Sequence, residues 1–212
     1  METTTKLTVN TEKIYVDMYK KAGLPLKYMY DEPKLIPEPV DRECFKCLAK
    51  VQAECLGVFK MGNGRCLLLF SNNVGNGKTT WAQKILKSFI KQHSAIYLGA
   101  SEYLYINVPA FLQLRKSAIS DPEAREQFML LEHRIKKDRL VVFDDIAYRQ
   151  GSGFDEEYLY TVIDHRYTNN MNSIFTSNAT PDEMRKILGN RIADRILDSR
   201  TYKYFFKGGS RR

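Results

Sequence analysis

The sequence predicts an α/β protein in which parallel strands alternate with helices and stack as a three-layer sandwich. Three observations predict it. The apolar run Cys66-Leu67-Leu68-Leu69-Phe70 leads into a Gly-rich turn that opens an amphipathic helix. A second apolar run, Arg139-Leu140-Val141-Val142-Phe143, ends in the paired carboxylates Asp144 and Asp145. Around these two runs, short apolar strands alternate with helix-periodic segments, an order that places a ligand at the strand C-termini.

Taken in order, residues 1–10 are polar and expected to fray. A helix follows over Thr11–Ala22, with Tyr15, Met18, Tyr19 and Ala22 on one face. Gly23 and Pro25 end it, and the Pro-containing stretch Lys27–Val40 reads as an extended linker. Residues 1–40 are thus expected to form a short helical extension, and residues 41–212 the main domain. The domain opens on a helix carrying Cys44, Leu48, Val51, Cys55 and Val58 at helical spacing. The cysteines therefore read as small core residues, since Cys44-x-x-Cys47 lacks a second ligand pair for zinc.

The strand at 66–70 and a helix over 79–92 come next. A second strand is expected over Ser94–Gly99, followed by Leu104–Val108 and a helix that Pro109 opens, carrying Phe111, Arg115 and Lys116. Asp121 caps a further helix. A helix over 155–170, a strand over 173–178, a helix that Thr180, Pro181 and Glu183 start as a capping box, and a last strand over 201–206 complete the chain. Gly189 is expected to break the helix after Thr180, and residues 208–212 to form a loose basic tail.

The turn after Phe70 carries the chemistry. Asn73-Val74-Gly75-Asn76-Gly77-Lys78-Thr79-Thr80 has the makeup of a phosphate-binding P-loop. Glycines let successive N–H groups converge on one phosphate, and the helix N-terminus adds positive potential. Lys78 would reach the β- and γ-phosphates, and the Thr79 hydroxyl would hold Mg²⁺. The usual spacing has a glycine where this chain has Asn72, and asparagine is among the residues that tolerate a left-handed backbone. Asp144 would complete the Mg²⁺ shell and Asp145 would polarise the attacking water. ATP and Mg²⁺ are the expected cofactors.

With 212 residues and 43% hydrophobic content, the chain is long and apolar enough for one proper core. No apolar run reaches the roughly 18–20 residues of a membrane span, and no signal-peptide block opens the chain, so a cytoplasmic protein is expected. The net charge of +8 points to an anionic partner, with nucleic acid foremost. The aromatic and cationic group Phe111, Arg115 and Lys116 is a candidate platform for single-stranded DNA.

Beyond the P-loop, Asn178 at the end of a strand resembles the sensor 1 residue of AAA+ ATPases. Leu188-Gly189-Asn190-Arg191-Ile192-Ala193-Asp194-Arg195 resembles the segment of DnaC/DnaI-type helicase loaders that carries the arginine finger. The chain also stops one strand later, with no helical lid domain, as in that family. The resemblance covers about residues 41–207, and the short chain suits a phage-encoded member.

The resemblance implies a P-loop (AAA+) fold with a parallel five-stranded sheet. It implies an ATPase, weak alone, that self-associates through its ATP site, with Arg195 reaching a neighbour's nucleotide and Arg191 in support. The implied function is to bind the replicative DNA helicase and deliver it to single-stranded DNA. Tyr15, Met18 and Tyr19 are the expected helicase contacts, because an apolar helix face suits groove docking. The competing readings are a transposition-type (IstB-like) ATPase and a non-hydrolysing ATP-binding adaptor. A nucleotide kinase would need an Arg-rich lid that this sequence does not offer after helix 155–170.

Overall fold

The computed structural model describes residues 2–30, 33–96, 102–148 and 153–210. Five parallel strands form one sheet: β1 (Cys66–Phe70), β2 (Tyr103–Asn107), β3 (Leu140–Asp144), β4 (Asn172–Ser177) and β5 (Thr201–Phe205), in the order β2-β3-β4-β1-β5. Side chains alternate across such a sheet with period two, and each face builds its own core. Leu67, Leu69, Tyr103, Tyr105, Val142 and Ile174 face one layer; Leu68, Leu104, Ile106, Val141, Phe143 and Phe175 face the other.

The first layer holds α1 (Glu2–Lys21), α2 (Leu26–Tyr30), α3 (Arg42–Ala53), α4 (Cys55–Val58) and α5 (Lys78–Ser94). The second holds α6 (Val108–Ser117), α7 (Pro122–Lys137), α8 (Gly153–Thr168) and α9 (Pro181–Ile196). Asp121 caps α7 by accepting from the Glu123 and Ala124 amides, and the Thr180–Glu183 capping box starts α9. Gly189 breaks the helical path of α9 with φ +74°, and a side chain there would strike Glu156. Arg166 of α8 is fully buried and donates to the carbonyls of Ile135, Asp138 and Asn172. That guanidinium ties α8 to the end of α7 and to the bases of β3 and β4. None of the helices in the described residues is long and apolar enough to cross a membrane.

Three expectations about elements and core residues are corrected. The strand expected at 94–99 is not there at its start, because α5 continues through Ser94 and closes with Ala95 and Ile96 amides bonded to Lys91 and His93 carbonyls. Residues 97–101 lie outside the described residues, and the second strand is Tyr103–Asn107. The N-terminus is not frayed up to residue 10, since α1 begins at Glu2. The cysteines are not uniformly core: Cys55 is buried, whereas Cys47 is exposed.

The C-terminal stretch is bound at its start. Lys207 and Gly208 amides donate to the buried Asp41 carboxylate at 2.8 and 3.1 Å, and the Gly209 amide donates to Glu38 at 3.1 Å. Arg211 and Arg212 lie outside the described residues.

The aromatic face of α1 is also accounted for within the chain. Tyr19 is 2% exposed and Ala22 fully buried, in the same core as Leu86 and Phe89 of α5, with Tyr15 and Met18 packed against it. Lys87 reaches back from α5 to the Tyr28 carbonyl at 3.1 Å and lies 5.1 Å from the Tyr19 ring centroid. The extension and the main domain share one core. Tyr19 is therefore not a docking contact, and Tyr15 and Met18 spend much of their surface on their own chain.

Candidate nucleotide site

The C-terminal ends of β1, β3 and β4 converge on a cleft of about 960 Å³, closed on one side by the P-loop and on another by Lys27, Tyr28, Pro33, Lys34, Leu35 and Ile36. Gly75 and Gly77 take φ +76° and +100°, left-handed values that would strain any residue with a side chain. Asn72 does not: among the described residues the non-glycine positions with positive φ are Asp145 and Asn170. The missing glycine thus leaves no conformational demand unmet. Asn72 needs no left-handed backbone, contrary to the expectation.

Ser71, fully buried, organises the loop. Its hydroxyl accepts from the Asn73 amide at 3.0 Å and from the Asn76 side chain at 2.6 Å. Asn73 in turn donates to the Gly208 carbonyl at 3.1 Å, which ties the loop to the C-terminal stretch. Lys78 is 6% exposed and donates to the Asn73 carbonyl at 2.7 Å and to Asn76 Oδ1 at 2.9 Å. Burial lowers its pKa to about 8, against the opposing pull of Asp145 and Asp144. The loop so holds a buried cation with neutral partners, ready to exchange them for phosphate oxygens.

At the end of β3, Asp144 receives three hydroxyl donors. Thr79 and Thr176 reach Oδ1 at 2.8 and 2.6 Å, and Tyr105 reaches Oδ2 at 2.7 Å. Burial, with Asp144 next in weight, raises the Tyr105 phenol above its ordinary value, so it remains a donor. The Thr79 hydroxyl and Asp144 carboxylate are hard oxygen ligands within contact of each other, a donor set that fits Mg²⁺. Such an ion, when bound, would neutralise charge on the terminal phosphates.

Asp145 follows with φ +61°, an uncommon value for a side-chain-bearing residue and one that clusters at functional sites. Its amide donates to Thr176 Oγ1 at 2.9 Å, and its carboxylate accepts from Asn178 Nδ2 at 3.1 Å. Burial raises its pKa first and the Asp144 charge second, while Asn178 and Lys78 oppose both. Asn178 thereby touches the residue expected to polarise water. Lys78, Thr79, Thr80, Asp144, Asp145 and Asn178 all line one cleft, together with Val74 to Gly77. Tyr105, Thr176 and Ser71 were not singled out by the sequence.

No protein-family model matches the chain. In sequence it is 28% identical over 120 residues to the replicative helicase loader DnaI of Bacillus subtilis (strain 168), a match that takes in 54% of this chain and 37% of that protein. In structure it superposes on the DnaC helicase loader with a TM-score of 0.65 at 17% identity, covering 86% of this chain and all of the other. The chain shares its fold with the DnaC helicase loader and is similar in sequence to DnaI. The match spans little more than a third of the curated relative's length. The replication initiator DnaA bound to AMPPCP and single-stranded DNA superposes with a TM-score of 0.60 at 14% identity, over 81% of this chain and 48% of that one.

Other expected site residues lie away from the cleft. Arg195 donates to Asp164 at 2.6 Å, to the Tyr160 hydroxyl at 3.1 Å and to the Arg191 carbonyl at 3.1 Å. The Arg191 guanidinium stacks on the Tyr160 ring, 3.7 Å from its centroid. Neither lines the nucleotide cleft of its own chain. The DNA platform is corrected. Phe111 is buried and stacks on Phe128, with ring centroids 5.4 Å apart. Arg115 lies over the Tyr158 ring, and Lys116 pairs with Asp155 at 2.8 Å. A buried ring cannot stack on a base, so Phe111 is a core residue.

Proposed function

We propose that this chain is an ATP-dependent loader that binds the replicative DNA helicase and delivers it to single-stranded DNA. The observation that carries the reading is the cleft itself: Lys78, Thr79, Asp144, Asp145 and Asn178 converge in one place, in a chain of DnaC/DnaI type. ATP with Mg²⁺ is the ligand this donor set suits. The P-loop amides and Lys78 hold the phosphates, Asp145 orients water, and Asn178 fixes Asp145. Among the described residues the cleft has no arginine in its lining, while Arg191 and Arg195 stack and pair with Tyr160 and Asp164 instead. Hydrolysis in this reading is completed between copies, with Arg195 as the finger and Arg191 beside it, so a lone copy turns over slowly.

Single-stranded DNA is held mainly by the net charge of +8. The helicase contact lies on surface other than the buried face of α1. The test is co-elution of the full chain with the replicative helicase of its host in size-exclusion chromatography, with ATP and Mg²⁺ and then with EDTA. A nucleotide-dependent complex is the expected result. Independent elution in both conditions contradicts the reading.

A further inference from the structure

The turn after α1 is linked to Asp144 through Tyr105. β2 is an edge strand of the sheet, and the turn after α1 lies against it. The Tyr105 amide donates to the Ala22 carbonyl at 2.7 Å, and Arg134 clamps the same corner by donating to the Lys21 and Tyr103 carbonyls at 2.6 and 2.7 Å. Gly23 holds φ +76°, and a Cβ built there would stand 2.9 Å from the Tyr105 carbonyl oxygen. That approach has no room for a side chain. The side chain of the same Tyr105 then donates its hydroxyl to Asp144 Oδ2 at 2.7 Å.

We infer that Tyr105 is a positioning residue for Asp144, and that the turn Ala22–Gly23 sets its position, so that the N-terminal extension tunes metal binding in the nucleotide cleft. The inference rests on the nucleotide reading of that cleft. Its physical basis is the geometry around the carboxylate. Thr79 and Thr176 both act on Oδ1, which leaves rotation of the group about its own axis to be fixed by whatever holds Oδ2. The Tyr105 hydroxyl is that group. A partner that orients a metal-binding carboxylate contributes to metal affinity without touching the metal. Moving α1 relative to β2 would move the Tyr105 backbone and loosen that orientation. Any protein bound to the extension then has a short mechanical route to the metal.

The test uses the full chain, a fluorescent ATP analogue and a Mg²⁺ titration. Tyr105→Phe keeps the buried ring and removes only the hydroxyl. It is expected to leave nucleotide affinity in EDTA within about two-fold of wild type, while raising the Mg²⁺ concentration for half-maximal tightening by about 10- to 100-fold. An unchanged Mg²⁺ midpoint overturns the role. So does an equal loss of affinity with and without Mg²⁺, which is what a merely structural defect would give. Wild type that binds no nucleotide in either condition overturns the nucleotide reading itself and this inference with it. The coupling to the turn is read from Gly23→Ala. It should shift the Mg²⁺ midpoint in the wild-type background and add nothing in the Tyr105→Phe background. Equal shifts in both backgrounds overturn the coupling.

Discussion

Lys78→Ala is expected to weaken ATP binding by about 100-fold, or ~3 kcal/mol, the upper range for hydrogen bonds to a charged group. Lys78 is the cation of the P-loop that lines the cleft, and its present partners are the neutral Asn73 carbonyl and Asn76 amide oxygen. Those partners lie in a loop that Ser71 also braces, so the variant should remain folded. Isothermal titration of wild type and variant with ATP and Mg²⁺ gives the comparison. Burial holds the free lysine at about 8, and bound phosphate raises it. Binding then takes up a proton, and affinity falls as pH rises above about 8. Lys78→Ala should lose that pH dependence along with the affinity. Equal affinities in the two proteins would remove the phosphate assignment.

The second large effect is on turnover. An arginine finger supplied in trans is worth about 10³–10⁵ in rate. Arg195→Ala should lower hydrolysis by about that range while leaving ATP affinity nearly unchanged, since Arg195 lines no part of its own cleft. Mixing Arg195→Ala with Lys78→Ala chains should restore part of the activity. One chain supplies the finger and the other the pocket. Absence of rescue at every mixing ratio would argue that each copy works alone. Asp164 and Tyr160 hold Arg195 in the isolated chain, so the finger must exchange these partners for phosphate when copies meet.

The parts of this site that were legible in the sequence are those whose chemistry is local in the chain. Gly75 to Thr80 follow an apolar strand, Asp144 and Asp145 end another, and Asn178 ends a third. Each carries its signal within a few residues. Tyr105 and Thr176 were not legible, because their roles depend on the pairing of β2 with β3 and of β3 with β4, which brings three strand ends around one carboxylate. Ser71 was hidden for a similar reason: its hydroxyl closes a turn whose other members lie ahead of it. Periodicity identified the apolar face of α1 and left open what covers it, while Phe111 on α6 pointed to a DNA platform. Packing answered that. Tyr19 meets α5 and Phe111 meets Phe128, so both belong to the chain's own core. The strand expected from Ser94 started too early, because α5 runs on through Ser94.

The proposed loading of a helicase is tested most directly on a closed circle of single-stranded DNA, which offers no free end for a helicase to enter by itself. The measurement is the amount of replicative helicase retained on covalently closed single-stranded circles after gel filtration, with ATP and Mg²⁺, in the presence of the wild-type chain or of Lys78→Ala. Retention is expected with the wild-type chain, and background retention with Lys78→Ala. Equal retention with and without the chain would contradict the proposed loading.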